Sequence, residues 1–172
     1  MGLNLDTIRL GIYDWVKSEL AGTDVTADKI MWLAQDAPRP ARPYVGLNVL
    51  VGPGRVGHDA LTEVTPGVYD LVGVREMTCS VNVYGERADQ FVDQLMCSLE
   101  KPTVQERLAT FGLAMIEQSD PTDLTALIET RWEARSQFDV RFRVTSKTRD
   151  NVGYVQKVEL TNQVLGETQV IQ

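Results

Sequence analysis

The feature that most constrains this chain is a long alternation of apolar and polar residues between positions 130 and 147. The even positions carry the mostly apolar set Trp132, Ala134, Phe138, Val140, Phe142 and Val144. The odd positions carry the polar set Arg131, Glu133, Arg135, Gln137, Asp139, Arg141, Arg143, Thr145 and Lys147. A period of two predicts a β-strand with one buried and one polar face. At about 3.3 Å per residue such a strand spans about 50 Å, whereas strands of about five or six residues are commonest. We therefore expect it to bend or to protrude beyond its domain.

Three other segments have apolar residues three or four positions apart, which is typical of helices with one buried face. They are residues 5–20, residues 87–99 and a shorter segment that runs from a capping box at 103–106 to Gly112. Further strands are predicted at 30–34, 45–51, 72–84, 113–117 and 153–161. The last of these would return from a turn as the partner of the long strand.

The stretch between residues 52 and 70 is rich in turn-forming residues, with two prolines and four glycines. We expect it to be an excursion of about 20 residues at the tip of a hairpin formed by 45–51 and 72–84. Loops of that length are uncommon inside a compact domain and tend to be functional or disordered. Residues 119–128 are predicted to be a connector or a one-turn helix.

These elements predict a single α+β domain with a mostly antiparallel sheet of about five or six strands. Two main helices pack on one face of the sheet, because a sheet face must be covered to be buried. A long β-hairpin and an extended C-terminal strand pair complete the predicted fold. We expect residues 1–161 to form this domain and residues 162–172, which are polar and have no clear period, to form a C-terminal tail.

A proline-rich segment separates the first two predicted strands. It contains Pro38, Pro40 and Pro43 together with Arg39 and Arg42. Proline fixes φ and lacks a backbone donor, so the segment is predicted to be extended and irregular. Two interpretations are open: a stiff loop between two strands, or a preformed contact arm exposed at a subunit boundary.

The polar face of the long strand also has two interpretations. Its charged residues are candidates for a subunit interface; they are Arg131, Glu133, Arg135, Asp139, Arg141 and Arg143. Alternatively they form cross-strand ion pairs on a solvated sheet face, which antiparallel sheets often have. Exposed pairs of this kind contribute only about 0–1 kcal/mol each, so they would set register more than stability.

Composition and charge exclude several functions. The 17 Lys and Arg against 24 Asp and Glu give a formal net charge of −7, which argues against a general grip on nucleic acid and against docking on an anionic membrane. One histidine, His58, and two cysteines, Cys79 and Cys97, do not supply a zinc site. We predict no catalytic residue, no cofactor and no metal.

The N-terminal residues show no signal peptide pattern, and no stretch approaches the length of a membrane span. Cys79 lies on the apolar side of a strand pattern, whereas Cys97 lies opposite the apolar stripe of its helix. We therefore expect one buried and one exposed thiol rather than a disulfide, in a protein made in cytoplasm and not bound to membranes.

Three segments carry a family resemblance. They are IRLGIYDWV at 8–16, AQDAPRPARPY at 34–44, and DLTALIETRWEAR at 123–135, which continues to FDVRF at 138–142. In this order and spacing they resemble the neck or tail terminator proteins of tailed bacteriophages, over most of residues 7 to 160. Residues 52–70 and the segment after Asn162 carry no pattern of that family.

The resemblance implies a structural protein of the virion with an antiparallel sheet flanked by helices. Such proteins are similar in forming a ring, usually a hexamer, on the last ring of the tail tube at the head–tail junction. They stop tail elongation and present a surface to the head connector or neck protein, while the genomic DNA passes through the lumen. Under this resemblance, the charged residues on the polar face of the long strand, from Arg131 to Arg143, are also candidates for lining the lumen. The implied partners are further copies of the chain, the tail tube protein, the connector and, in contractile tails, a terminal ring of the sheath.

Two alternatives stay open at this point. Another neck, connector, tube or baseplate component of the same particle would share the helix-plus-sheet build, because fold does not define function. A small soluble enzyme or ligand-binding domain is the alternative of another class. Carboxylate pairs such as Asp120 with Asp123 and Glu129 with Glu133 are compatible with acid–base chemistry, but they lie beside turns and on a polar strand face.

Overall fold

A computed structural model describes residues 3–128, 131–155, 158–162 and 167–171. Within these ranges it contains three α-helices: α1 (Leu5–Glu19), α2 (Ala88–Leu99) and α3 (Pro102–Thr110). The strands are β1 (Ile30–Trp32), β2 (Tyr44–Thr65), β3 (Val68–Tyr84), β4 (Leu113–Gln118), β5 (Thr122–Asp123), β6 (Ala126–Ile128), β7 (Arg131–Glu133), β8 (Arg135–Asn151), β9 (Val158–Asn162) and β10 (Glu167–Ile171).

The main sheet has six strands in the order β1-β2-β3-β8-β4, and β5 also pairs with β8. All pairings are antiparallel except β1 with β2, which is parallel. Two small hairpins, β6–β7 and β9–β10, pair only within themselves in the described part of the chain. The predicted α+β class and the predicted number of strands in the sheet are confirmed.

The helices cover one face of this sheet. Helix α1 begins at Asn4, whose side chain accepts hydrogen bonds from the backbone N–H groups of Asp6 and Thr7, as an N-cap should. Its buried stripe packs with α2, α3 and the apolar side chains of β3 and β8. The fully buried bulky residues of this core include Ile12, Trp15, Leu20, Met77, Leu95, Leu99, Leu108, Leu113, Phe138 and Phe142.

One polar contact lies in the middle of this core. The indole Nε1 of Trp15 donates a hydrogen bond of 2.9 Å to the Ser98 hydroxyl, which itself donates to the Leu95 carbonyl at 2.6 Å. The Trp15 ring also meets the Phe142 ring edge-on, with centroids 6.5 Å apart. Because a buried donor without a partner is costly, this hydroxyl fixes how α1 seats between α2 and the sheet.

The predicted excursion at 52–70 is wrong. These residues continue β2 to Thr65, turn at Pro66 and Gly67, and return in β3. Register shifts divide the β2 ladder between Val49 and Val51, Val51 and Gly54, Val56 and Ala60, and Glu63 and Thr65. Bulges of this kind accommodate glycine and proline in a strand at the edge of a sheet, so turn-forming residues do not end the strand here.

The long alternating segment is divided at one residue. β7 ends at Glu133, β8 begins at Arg135, and only β8 belongs to the main sheet. From Phe138 to Val144 the predicted alternation is confirmed, with the even residues buried. Before the division it is inverted: Trp132 is 72% exposed and Glu133 only 9%, because β7 pairs with β6 in a separate hairpin instead of extending the sheet.

The predicted return strand at 153–161 is also corrected. β8 lies between β3 on one side and β4 with β5 on the other, so its edges are occupied along the body of the domain. In the described residues, β9 pairs instead with β10, from Val158 opposite Ile171 to Asn162 opposite Glu167. The division between a domain at 1–161 and a tail at 162–172 stays a prediction.

The sheet extends well beyond the helices. We call residues 50–75 and 145–151 the arm: a three-stranded ribbon in which β3 is central and β2 and β8 are the edges. Seven large apolar side chains on the arm are exposed; they are Leu50, Val51, Val56, Leu61, Val64, Leu71 and Val74. Eight residues of β3, Val68–Arg75, lie in it, so the arm projects about 25 Å.

The Trp15–Ser98 contact yields a stability prediction. Ser98→Ala leaves the buried indole N–H without a partner, and we expect the free energy of unfolding to fall by about 1–3 kcal/mol. Urea denaturation followed by Trp fluorescence measures this. Cys97→Ala, an exposed change on the same helix, is the control and should stay within about 0.5 kcal/mol of the parent; equal losses in both variants would contradict the structural role of the hydroxyl.

Candidate assembly surfaces

The polar face of β8 is paired largely within the chain. Arg143 Nη2 lies 2.6 Å from Glu76 Oε1 on the neighbouring β3, and Arg141 Nη2 lies 2.9 Å from Glu117 Oε2 on β4. Glu76 also lies 4.0 Å from the Arg141 Nε. The unbroken register of β3 and β8 places Glu76 opposite Arg143, so these contacts are cross-strand ion pairs.

Arg135 and Asp139 lie further along the same face. Arg135 Nη2 donates to the Asn82 side chain at 2.8 Å, and its guanidinium lies 5.1 Å from the centre of the Tyr84 ring. Asp139 receives a 3.4 Å hydrogen bond from Gln137 Nε2. The polar partners of Arg135 are thus neutral amides, whereas those of Arg141 and Arg143 are carboxylates.

The proline-rich segment contacts the end of β7, just before β8 begins. Arg42 Nη2 lies 2.6 Å from Glu133 Oε2, and the Glu133 side chain is only 10% exposed. Next to this pair, Tyr44 and Tyr84 stack with ring centroids 4.6 Å apart. The structure therefore places Arg42, from the proline-rich segment, in contact with Glu133, from the long alternating segment.

The proline-rich segment is a surface loop between β1 and β2. Pro38, Arg39 and Arg42 are exposed in it, and Pro40 and Pro43 are half-buried. The side chain of Arg131 lies outside the described part of the structure.

Two shallow cavities flank the Arg42–Glu133 pair. One, of about 310 Å³, is lined by Arg42, Pro43, Gly85, Glu86, Trp132 and Ala134. The other, of about 140 Å³, is lined by Arg39, Tyr84, Leu124, Ala126, Glu133 and Arg135. Exposed apolar side chains lie at this end of the molecule, namely Leu124, Leu127 and Trp132. We call this region the β6–β7 end.

A three-member ionic group holds the arm together near its tip. Arg149 on β8 donates to both carboxylate oxygens of Asp70 on β3, at 2.8 and 3.2 Å, and Lys147 Nζ lies 2.8 Å from Asp70 Oδ2. The Asp70 side chain is only 5% exposed. Hydrogen bonds from Arg149 and then from Lys147 hold the pKa of Asp70 well below its usual value.

A second ionic contact crosses the arm on its other face. Arg75 donates to both oxygens of Asp59, at 2.7 and 2.8 Å, and this hydrogen bonding lowers the pKa of Asp59. A Cβ on Gly73 would overlap the Asp59 carboxylate and the Arg75 guanidinium. Glycine is therefore required where this pair lies across β3.

The residues considered for chemistry do not converge on a site. His58 is exposed on β2, Cys97 is exposed, and Cys79 is buried, with burial raising the pKa of its thiol to about 12. Among the residues that the structure describes, no cluster of histidine, cysteine and acidic side chains is arranged to hold a metal ion. In the same residues, no helix has the length and apolar character needed to span a membrane.

Sequence reasoning missed the pairings that organise these surfaces. Asp59 and Asp70 lie in the segment predicted to be a loop, and Glu76 lies on the polar face of a predicted strand, without a predicted partner for its carboxylate. Their arginine partners lie 16, 79 and 67 residues away in the sequence, respectively. The alternation in β3 and β8 was the available signal: once the two strands are in register, Asp70 and Glu76 fall opposite Arg149 and Arg143.

The described residues thus form an exposed arm at one end of the domain and two shallow cavities, lined by charged and apolar side chains, at the other. The family model described as Phage neck terminator protein matches residues 6–167. Because the match covers nearly the whole chain, this protein belongs to the phage neck terminator family, a family of structural proteins of the phage tail and neck. No curated protein matches the sequence.

The Asp70 group yields a pH prediction. Because folding lowers the pKa of Asp70, its contribution to stability is complete above the ordinary value of 3.8 and is lost progressively as the pH falls below it. We expect Asp70→Asn to lower stability at pH 7 and to flatten the acid dependence of the free energy of unfolding. Denaturant titrations from pH 7 to pH 2.5 measure both effects.

The control for this experiment is Asp36→Asn, which neutralises an exposed loop carboxylate outside any ion pair of the described residues. It should leave both the stability at pH 7 and its acid dependence close to those of the parent protein. An Asp70→Asn variant that shows the same acid dependence as the parent would contradict the assignment.

Proposed function

We propose that this chain is a tail terminator that forms a ring, with six subunits as the expected number, on the last ring of the tail tube. In this position it stops tail elongation, joins the tail to the head connector at the head–tail junction, and lets the genomic DNA pass through its lumen. The membership of the chain in the neck terminator family supports the class of protein, and the features below support the ring.

The observation that carries the proposal is the arm. It projects about 25 Å and exposes seven large apolar side chains, which are distributed over both faces of the ribbon. None of these side chains belongs to the hydrophobic core formed with the described helices. Exposed apolar side chains in such number usually mark a contact with another macromolecule. A ring needs two different lateral surfaces on every subunit, because only heterologous contacts close a cycle.

The proposed mechanism is geometric. One face of the ring matches the symmetry of the tail tube and so blocks the addition of the next tube subunit. The other face offers a different surface to the connector or, in a contractile tail, to the terminal ring of the sheath. The segment 162–172 is proposed as an axial contact with these partners.

The polar face of the main sheet fits the lining of the lumen. Its arginines include Arg135, Arg141 and Arg143, and the last two are neutralised by Glu76 and Glu117. Binding to DNA depends on free cations that release counterions from the phosphates. A face on which most cations are already paired, with Arg135 as the exception, therefore allows DNA to slide without being held.

Particles made without this chain test the function directly. We expect phage carrying a nonsense mutation in its gene to accumulate separate heads and tails, with tails of irregular length, as seen by negative-stain electron microscopy. Expression of the wild-type chain from a plasmid should restore joined particles, and an epitope tag on it should be labelled at the head–tail junction. Label at the baseplate, or normal joining without the chain, would contradict the proposal.

The lumen assignment yields a binding prediction. Glu76→Gln combined with Glu117→Gln releases Arg141 and Arg143 from their carboxylates, and we expect measurable binding to double-stranded DNA at low salt that weakens steeply as salt rises. Fluorescence anisotropy with a labelled duplex detects it. The control is Glu106→Gln together with Glu100→Gln, which makes the same charge change on the exposed helical surface.

The parent protein and the helix control should both show much weaker binding than the double variant. Equal DNA binding by the two double variants would show that overall charge matters and that this sheet face does not. No binding by either variant would also contradict the assignment of the face to the lumen.

A further inference from the structure

The tip of the arm carries a distinct pattern of side chains on the face that continues the buried side of the sheet. In the register of the three strands, Glu63 lies opposite Tyr69, and Tyr69 lies opposite Asp150. One step along the same face, Leu61 lies opposite Leu71. The tip therefore presents two carboxylates at its edges beside a pair of exposed leucines, which are 63% and 38% exposed.

These two carboxylates differ from the other acids of the arm. Asp59 and Asp70 are both in ion pairs. Neither Glu63 nor Asp150 is in an ion pair among the described residues, although Glu63 Oε1 accepts a 3.0 Å hydrogen bond from the Gly67 N–H in the turn. The arm tip is thus an acidic and apolar surface whose charges have no cationic partner within the described chain.

The β6–β7 end has the complementary pattern. Arg39 and Arg135 line the cavity of about 140 Å³ together with Leu124, and neither arginine is in an ion pair among the described residues. The Nε of Arg135 is buried and has no hydrogen-bond partner in that part of the chain. Glu133 also lines the cavity, but it is held by Arg42. The exposed side chains of Leu127 and Trp132 lie on the opposite face of the β6–β7 hairpin, where Trp132 and Glu86 line the other cavity.

The two surfaces cannot meet within one molecule. Arg135 is the first residue of β8, and Asp150 is the last but one. Fifteen residue steps at about 3.3 Å place them about 50 Å apart. A contact between them must therefore join two copies of the chain. Because the two surfaces differ, the contact is heterologous, and its repetition generates a ring or an open chain.

We propose that the arm tip of one subunit docks on the β6–β7 end of a second copy of this chain. Together, Glu63 and Asp150 face the arginine pair Arg39 and Arg135 of the neighbouring copy, and the Leu61–Leu71 pair covers Leu124. This inference rests on the proposed function, since it names the lateral contact of the proposed ring. It differs from the earlier interpretation of the arginine face as the interface, because Arg141 and Arg143 are satisfied within their own subunit.

Charge-swap variants test the contact. Glu63→Arg places like charges together in every contact between identical copies, and so does Arg39→Glu. We expect each variant alone to associate at least about tenfold more weakly than the parent, because desolvated interfacial charge pairs couple strongly. In an equimolar mixture every contact between unlike subunits regains opposite charges, so association should recover. Sedimentation velocity at several protein concentrations measures all three samples.

Two further variants keep this test specific. Glu106→Arg reverses an exposed charge on α3 and should associate like the parent. Asp150→Arg repeats the swap at the other edge of the tip, away from the turn hydrogen bond of Glu63, and should also be complemented by Arg39→Glu. Circular dichroism confirms that each variant is folded before it is compared.

Three outcomes would overturn the inference: a parent protein that stays monomeric at its highest soluble concentration, swap variants that associate like the parent, or a mixture that does not recover. The proposed function is judged separately, from the labelled position of the chain in the particle. A chain found at the neck whose swap variants behave like the parent would leave the function standing and exclude this contact. If association recovers in the mixture but the label lies elsewhere in the particle, this contact stands and the proposed function is contradicted.

Discussion

The rest of the structure depends on the pairing of β3 with β8. These strands run antiparallel in one unbroken register from Val68 opposite Asn151 to Tyr84 opposite Arg135. Over its inner half the ladder places Met77, Phe138 and Phe142 under the helices. Over its outer half the same ladder continues without helices and forms the centre of the arm. One register therefore fixes both the hydrophobic core and the distance at which the arm tip stands from the domain.

The same pairing determines the electrostatics of the surface. A period of two sends apolar residues to one face and charged residues to the other, and the register then sets acids of β3 beside the cations of β8. Most charges on this face are neutralised locally, at Asp70 and Glu76. The net charge of −7 is therefore a poor guide to any single surface. At the two ends of β8 the described residues leave some charges without an ion-pair partner, namely Glu63 and Asp150 at the arm tip, and Arg39, Arg135 and Glu86 at the β6–β7 end.

Much of the fold could be predicted because the decisive signals are local. The spacing of Ile8, Ile12 and Trp15 indicates α1, and the alternation from Phe138 to Val144 indicates a half-buried strand. What escaped prediction depends on pairing across the chain. Glycine and proline between residues 52 and 65 are typical of a loop, yet they are accommodated by bulges in an edge strand. The inversion at Trp132 and Glu133 follows from a hairpin with β6 and from Arg42, which no local pattern reveals.

The candidate surfaces were likewise predictable in their local pattern but not in their pairing across the chain. From Arg135 onward the polar residues lie on one face of β8, as the alternation predicts, whereas Glu133 lies in the separate β6–β7 hairpin. The partners of these charges, and hence which charges are left unpaired, follow only from register. The most direct test of the central claim, that these subunits assemble head to tail through the arm, is an electron cryo-microscopy map of the neck of the intact particle in which the chain can be traced. We expect a closed ring in which the arm tip of each subunit lies against Arg39 and Leu124 of the next. Arms that extend freely into solvent, or a chain located outside the neck, would contradict it.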